Sequence, residues 1–256
     1  LMKILYGARM ARFDLLRAVC NLACFVTRWT TESDAQLHRL ICYIACTKHH
    51  RQIGWIGDSS SELAPHLFAD ADFAGDPRTL RSTSGAQIQI EGSHTRFPII
   101  ARSIRQAAVA NSTPDAELAA LAMAFRSMAI PMIDLWEVLL PVHVECFVHE
   151  DNTACISVVC IGKNPTMRYI GRTQGINIQL LHEFLGTVNP DCPCSLVKTD
   201  SADMVADVHT KGFTKADEWQ HVCTNACMFY ASEFVKAFKR HIEYFEKQKQ
   251  SGTSNG

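Results

Sequence analysis

What this chain most lacks is net charge. Its 256 residues carry 25 Lys and Arg against 26 Asp and Glu, a balance of −1 with histidine neutral. A free-standing nucleic-acid binder ordinarily shows a clear basic excess, because neutralising phosphates supplies most of its affinity. Here the basic groups are local: Lys48 to Arg51, Arg78 with Arg81, Arg102 with Arg105, and Arg168 with Arg172. A chain of this kind that handles nucleic acid is expected to borrow much of its grip from neighbouring domains. Uninterrupted apolar runs are also short. Even the nine-residue stretch Ala18 to Val26 is broken by Asn21, against the roughly 18–20 residues of a membrane span, so no membrane partner is expected. The start, Leu1-Met2-Lys3-Ile4, has no signal-peptide pattern and no initial Met, which points to a piece of a longer polyprotein. No internal repeat is present.

Cysteine, by contrast, is plentiful at eleven. In a short secreted chain that count would read as a disulfide framework; at this length it does not. Cys20/Cys24, Cys42/Cys46 and Cys223/Cys227 stand four apart in apolar helical patterns, and free cysteine behaves as a small buried hydrophobe. Reduced thiols in a reducing compartment are the expectation. The alternative is a zinc site drawn from Cys192, Cys194, His221, Cys223 and Cys227, although Cys-x-Cys is not a usual zinc knuckle.

With 47% hydrophobic residues the chain can bury one large core or two small ones. Residues 1–58 read as two helices, one on Leu15, Leu16, Val19, Leu22 and Val26, the other on Leu37, Leu40, Ile41 and Ile44. A Gly-Asp-Ser-Ser-Ser linker occupies 57–61. Residues 62–213 mix strands and helices. Leu67 to Ala71 is a short strand; Ala86, Ile88 and Ile90 alternate with Gln87 and Gln89, the pattern of a strand with one wet face. Phe97 to Arg102 and Gln106 to Ala110 complete an antiparallel meander. A helix follows, with Thr113 as cap, Pro114 at its first position and Asp115 at the positive end of its dipole. Its apolar face is Leu118, Leu121, Ala122, Phe125 and Met128. Strands at Val142 to Val148 and Cys194 to Thr199, and helices at Asn152 to Cys160, Arg172 to Leu185 and Asp203 to His209, complete a mixed α/β sheet. A C-terminal extension (214–250) carries an amphipathic helix from Tyr230 to Phe245, with Phe234, Val235, Phe238, Ile242 and Phe245 on one side. It reads as a docked helix, or else an interfacial or partner-binding one. Residues 251–256 read as a disordered tail.

Against this background four acidic residues stand in distinctive surroundings: Asp70 in Phe68-Ala69-Asp70-Ala71-Asp72-Phe73-Ala74-Gly75, Glu117 in Ser112-Thr113-Pro114-Asp115-Ala116-Glu117-Leu118, Asp151 in Glu150-Asp151-Asn152, and Asp207 in Val205-Ala206-Asp207-Val208-His209-Thr210-Lys211. Carboxylates gathered by a fold are what two divalent cations need beside a phosphodiester.

The order of these segments resembles the C-terminal part of a copia-type LTR-retrotransposon polyprotein, where the end of reverse transcriptase joins a ribonuclease H domain. That family's Ser-Asp-Ala-Asp-Trp-Ala-Gly-Asp corresponds to Ala69 to Asp76, with Phe73 for Trp. Arg81-Ser82-Thr83-Ser84-Gly85 matches its basic-Ser-Thr-Ser-Gly, Ser112 to Leu118 its Ser-Ser-Thr-Glu-Ala-Glu-Tyr, Glu150 to Ala154 its Cys-Asp-Asn-x-Ser-Ala, and Ala206 to Lys211 its Ala-Asp-Ile-Leu-Thr-Lys. Lys163-Asn164-Pro165 falls in place between, and Arg12-Phe13-Asp14-Leu15 with Ala18-Val19 is similar to an upstream Arg-Pro-Asp-Ile…Ala-Val segment. The likeness spans about residues 3 to 225.

The resemblance implies a ribonuclease H-like five-stranded mixed sheet flanked by helices, preceded by a helical end of reverse transcriptase and followed by a C-terminal helix. Asp70, Glu117, Asp151 and Asp207 would be both catalytic residues and metal ligands. Two Mg²⁺ ions, or Mn²⁺, would be held with Asp70 shared, Glu117 and Asp151 around one ion and Asp207 around the other. The substrate would be an RNA–DNA hybrid, met by Arg81, Ser82, Ser84, Asn152 and Arg172, with the reverse transcriptase polymerase domain as a partner in the same polyprotein. The implied setting is cytoplasmic, in a virus-like particle, with a nuclear stage. Ser82 to Ser84 serve a turn equally well; Asp72 reads as a surface or turn residue, and Glu150 should point opposite to Asp151 if both lie on a strand. Asp203 is the alternative fourth carboxylate.

The sequence also departs from the pattern. The family's Lys-His-Ile-Asp-Ile reads here Gln174-Gly175-Ile176-Asn177-Ile178, so Gly175 replaces a histidine suited to proton transfer or product release, with His182 as a partial substitute seven residues on. Leu118 replaces Tyr and Ala101 replaces Trp. A catalytically silent module that positions nucleic acid or packs against a polymerase is therefore the alternative to an active nuclease. A DDE-type integrase would share the sheet, but the early Glu and the fourth acid speak against it.

Overall fold

A computed structural model of the chain describes residues 1–139, 145–164, 169–186 and 193–252, with side chains as far as 248. Three helices open it: α1 (Met2–Ala11), α2 (Leu16–Ala23) and α3 (Thr31–Cys46), the last started by a Thr30–Ser33 capping box. A short strand, β1 (His50–Gln52), follows. The meander β2 (Ala64–Asp72), β3 (Thr83–Gly92) and β4 (Thr95–Arg105) leads into α4 (Thr113–Ala124), which continues through a π-turn at Phe125–Ala129 into α5 (Ile130–Leu139). Then come β5 (Cys146–Glu150), α6 (Thr153–Ile161), α7 (Ile170–Thr173), α8 (Ile178–Leu185), β6 (Cys194–Lys198), α9 (Ala216–Asn225), β7 (Met228–Tyr230) and α10 (Phe234–Gly252).

The main sheet has five strands in the order β4-β3-β2-β5-β6, antiparallel across β4, β3 and β2 and parallel across β2, β5 and β6. Successive strand residues face opposite sides, and β2 divides accordingly. Leu67 and Ala69 join a core with Leu118, Leu121 and Phe125 of the long helix and with α6 and α8. Phe68 joins a second core with Phe13, Leu16 and Val19 from the N-terminal segment and Met204, Val205 and Val208 from the segment after β6. The chain thus folds as an α/β structure with helices on both faces.

That second cover changes the reading of β3. Gln87 and Gln89, expected on a wet face, are fully buried. They form a ladder: Gln87 donates to Gln89 at 3.0 Å, Gln89 donates to Glu91 at 2.6 Å, and His209 Nε2 lies 2.9 Å from Gln87 Oε1. Alternation in sequence reports two faces but not what covers the polar one. Buried polar groups are tolerated when they are hydrogen-bonded.

Other expectations shift. Gln106 to Ala110 is not a strand; the Gln106 amide instead donates to Ser84 Oγ and to the Ala116 carbonyl, fastening the start of α4 to the sheet. Ser112, not Thr113, is the cap. The helix expected from Arg172 to Leu185 is two, α7 and α8, with Gly175 at φ +66 between them. The strand expected from Val142 begins at Cys146 among the described residues, and 140–144 lie outside them. Asp203 to His209 is two 3₁₀ turns, Ser201–Asp203 and Val205–His209. Helices α1 and α9 and the small β1–β7 pair are additions to the elements expected from the sequence.

The 57–61 linker is pinned. Gly57 and Asp58 N–H groups donate to Thr95 Oγ1, and the Asp58 carboxylate accepts from the His94 N–H and Ser93 Oγ. The C-terminal helix is docked, with Phe234, Phe238 and His241 around the Trp55 ring and Phe245 beside His66, while Val235 faces outward at 61% exposure. It reaches Gly252; residues 253–256 of the expected tail lie outside the described residues. One longer stretch is apolar on average although polar residues interrupt it. Thr113–Leu139 is 27 residues long and apolar enough, by length and composition, to cross a membrane. In this fold half of that window is buried, against the sheet and the α6–α8 layer.

Gly85 carries a close approach on which the site depends. A Cβ there would come within 2.5 Å of Thr210 Cγ2 and 2.9 Å of His209 Cβ. Gly85→Ala is expected to push the Val205–His209 turn off β3 and destabilise the chain by roughly 1–3 kcal/mol. A urea titration of the variant checks this; an unchanged midpoint would show that the turn yields freely.

Candidate metal centre

Four elements meet at one end of the sheet. Asp70 stands near the end of β2, opposite Gly85 and facing the side of Phe68. Asp151 directly follows β5, which runs parallel to β2, so both strands deliver their C-terminal ends to the same place. Glu117 sits in the first turns of α4. That helix start is held by the Ser112 cap, by the Gln106 anchor and by buried Asp115, which accepts from the Asn111 N–H at 2.8 Å. Asp115 therefore does more than complement the dipole; it closes the loop that delivers Glu117.

Asp70, Glu117 and Asp151 each offer a carboxylate oxygen, and these oxygens all lie within 4.8 Å of one another. Asp70 and Glu117 are buried and Asp151 is partly open. Asp207, in the 3₁₀ turn, is linked to Asp70 through Lys211, whose ammonium stands 2.7 Å from Asp207 Oδ1 and 3.4 Å from Asp70 Oδ1. Thr210 Oγ1 donates a short hydrogen bond to Asp70 Oδ2, and Ser201 Oγ donates to Asp151 Oδ2 at 2.6 Å. Asp203, the alternative fourth acid, feels the charge of Arg240 on α10 instead.

The electrostatics follow from burial and crowding. Desolvation first, and then Asp70, Glu150 and Asp151, push the Glu117 carboxyl up to about 10. Burial and then Asp70 raise Asp207 to about 7, with Lys211 pulling it back. Asp70 is raised by burial, against the opposing pull of Lys211 and Thr210. Burial lowers the Lys211 ammonium, but Asp70 and Asp207 outweigh it and leave it raised. Like charges this close oppose joint ionisation.

Hard oxygen donors gathered in this way suit Mg²⁺ or Mn²⁺. Glu117 Oε2 is buried with no hydrogen-bond partner, an oxygen left over for a cation.

The other expected residues are less convergent. Ser82 and Ser84 are buried, their hydroxyls accepting from the Ala74 N–H and the Gln106 amide. The turn role fits them, and a hydroxyl at the surface for a phosphate does not. Asn152 caps α6, its Oδ1 taking the N–H groups of Ala154 and Cys155. Arg81 and Arg172 are exposed, while Arg168 lies outside the described residues. Asp72 fastens the β2–β3 turn by accepting from the Thr83 N–H. His182 Nδ1 lies 2.9 Å from the Val159 carbonyl and its ring packs on Gly162, so it serves the α6–α8 contact and not the carboxylates. As for zinc, Cys194 and Cys223 belong to cores on opposite faces of the sheet, and Cys192 lies outside the described residues. The described cysteines are in no disulfide.

Two participants are not evident from the sequence patterns. Glu150 is fully buried, accepts from the Asn152 N–H at 3.1 Å, and is pushed up to about 8 by burial and by Asp151 and Asp70. Strand alternation places it away from Asp151, but Asp151 lies just past the strand's end, where alternation no longer holds. Lys211 is visible in the sequence only as the last letter of a motif; its spacing of four from Asp207 is the available signal.

Compared with protein-family models, curated proteins and solved structures, the chain matches none of them.

Because the folded pKa values of Glu117, Glu150 and Asp207 exceed the ordinary carboxylate values, the folded state holds protons that the unfolded state releases. Their contribution is most favourable below about pH 4 and is lost as pH rises through about 7, 8 and 10. The metal-free chain is expected to melt lower at pH 9 than at pH 5, with Mg²⁺ restoring most of the difference. Glu117→Gln should raise the metal-free Tm at pH 8 by about 2–4 °C or more and blunt the Mg²⁺ response. Thermal melts with and without Mg²⁺ check both; a Tm blind to pH and metal would mean that the carboxylates do not crowd one another.

Proposed function

We propose that this chain is a ribonuclease H-like nuclease that hydrolyses the RNA strand of RNA–DNA hybrids, as part of a retrotransposon polyprotein that also carries a reverse transcriptase polymerase domain. The observation that carries the reading is the convergence of Asp70, Glu117 and Asp151 within 4.8 Å at one end of a sheet ordered β4-β3-β2-β5-β6. The motif order of the resemblance and the carboxylate geometry support the same chemistry independently.

In this reading Asp70, Glu117 and Asp151 would hold one divalent cation, and a second, between Asp70 and Asp207, would take the place that the Lys211 ammonium holds. Bound Mg²⁺ supplies charge stabilisation at the phosphodiester and lowers the pKa of an attacking water. The chain's own residues orient and neutralise. Thr210 fixes the Asp70 carboxylate, and Ser201 fixes Asp151. Lys211 supplies a positive charge of its own on the Asp207 side, where a phosphate oxygen would otherwise meet only carboxylates. The exposed Arg81 and Arg172 are the phosphate contacts that this reading offers. Recognition of a hybrid then rests on 2′-hydroxyls and minor-groove shape rather than on base identity.

Gly175 favours a second reading, the silent module that only positions nucleic acid. It stands at φ +66 with open space where its Cβ would be, and carries no side chain where the related pattern has an imidazole.

Cleavage of an end-labelled RNA–DNA hybrid in Mg²⁺ tests the proposal. Metal-dependent cutting of the RNA strand is expected, falling roughly 100-fold or more in Asp151→Asn, beyond the 10–100-fold typical of outer-shell changes at metal sites. A folded chain that leaves the hybrid intact would sink the nuclease and leave the positioning module.

A further inference from the structure

A groove of about 520 Å³ opens beside Lys211, between α2 and α3 on one side and the Lys211–Phe213 segment and α9 on the other. Its lining joins three cationic side chains, Arg17, Arg39 and Lys211, to an aromatic wall of Tyr43, Phe213 and Trp219. The aromatic wall is rigidly built. Trp219 Nε1 donates to Tyr43 Oη, Tyr43 donates to Asp14, and the Phe213 and Trp219 rings lie 5.7 Å apart. Asp14, the acid in the lining, is already held by two hydrogen bonds from Arg12 at 2.9 and 2.7 Å, so it does not offset Arg17 and Arg39, while Lys211 is already paired with Asp207 and Asp70. Arg39 is exposed on the rim.

The groove is also continuous with the carboxylate cluster. Lys211 contacts Asp207 and Asp70, and Arg17 donates to the carbonyl of Thr210, whose hydroxyl binds Asp70. Cations beside aromatic rings form the pattern that binds single-stranded nucleic acid, the cations taking the backbone and the rings taking the base faces.

We propose that this groove holds an unpaired nucleotide of the substrate, its base against the Tyr43–Trp219 wall and its phosphate against Arg39 and Arg17. The occupant is a single-stranded extension of a hybrid, running on from the phosphodiester at the carboxylates. The inference rests on reading those carboxylates as a phosphodiester-cleaving centre. It deepens that reading by giving the N-terminal helices a share in the substrate and by naming a preferred substrate end.

Fluorescence anisotropy with the full chain tests it, using a labelled blunt RNA–DNA hybrid, the same hybrid with a three-nucleotide single-stranded extension, and one whose extension is abasic. The extended hybrid is expected to bind about tenfold more tightly than the blunt one, with the abasic extension losing most of that gain. Arg39→Glu, an exposed position whose change leaves the fold intact, should abolish the advantage and lower the salt slope by about 1. Trp219→Phe should keep part of the advantage. Equal binding of blunt and extended hybrids, or an advantage untouched by Arg39→Glu, overturns the groove. Metal-dependent cutting of the blunt hybrid, measured alongside, separates the two ideas. Cutting without an extension advantage ends the groove proposal alone, whereas an Arg39-dependent advantage without cutting ends the nuclease and keeps the groove. Binding of neither hybrid overturns both.

Discussion

The interaction on which the rest depends is the repulsion among buried carboxylates at one end of the sheet. Asp70, Glu117 and Glu150 have almost no exposure; Asp70 raises the proton affinity of both Glu117 and Glu150, and Glu150 raises that of Glu117. Such a cluster is unfavourable by itself, since desolvation penalises every ionised form. It persists because many contacts elsewhere over-determine it. Gln106 and Asp115 pin the start of α4, the Asn152 cap pins α6 beside Asp151, and Lys211 with Thr210 holds Asp70 from the far side. On the proposed reading, stability given up at the site is recovered when a cation binds there.

The second face of the sheet obeys the same constraint at a distance. His66, His149, Gln87, Gln89 and Glu91 are all buried there. His149 Nδ1 lies 2.7 Å from Thr199 Oγ1, and its Nε2 lies 2.9 Å from His66 Nδ1. Both histidines are lowered by burial, His149 to about 3, so they are neutral. The 3.6 Å approach of His66 to Glu91 is therefore no ion pair, and the partner of Glu91 is Arg96, 2.9 Å away. Burial opposes the ionised form of Glu91, but Arg96 prevails and holds it at about 2. A polar layer this extensive needs cover on its outer side, and α10 supplies it, with His241 bonding to the Gly92 carbonyl and Tyr244 lying against Arg96.

Much of this is legible in the sequence, and the failures share a cause. The strand patterns of β2, β3 and β6, the apolar face of α4 and the three acids that the fold brings together, Asp70, Glu117 and Asp151, are readable, because each is written in local spacing. What fails is information carried by distant partners. Gln87 and Gln89 look like surface residues until Val205–His209 and α10 cover them. Gln106 looks like a strand residue until its amide meets Ser84 and Ala116. Ser82 and Ser84 look like phosphate contacts until the hairpin closes over them. Glu150 fails for a geometric reason, since strand alternation does not extend one residue past the strand's end.

The N-terminal helices show why that distinction matters for function. From the sequence they read as the end of a preceding domain, attached through a linker. In the fold, Arg17 of α2 bonds to the Thr210 carbonyl, Thr210 bonds to Asp70, and Phe13, Leu16 and Val19 share a core with Phe68 and Val208. The fourth carboxylate therefore sits on a turn clamped between the sheet and α2. A turn with five buried residues and no side-chain cap has little of its own to fix it, so its position is set by what lies on either side. Removing the first helices would leave Asp70, Glu117 and Asp151 on their own elements but free the turn that carries Asp207 and Lys211. The segment that reads as an appendage is, in physical terms, one wall of the site.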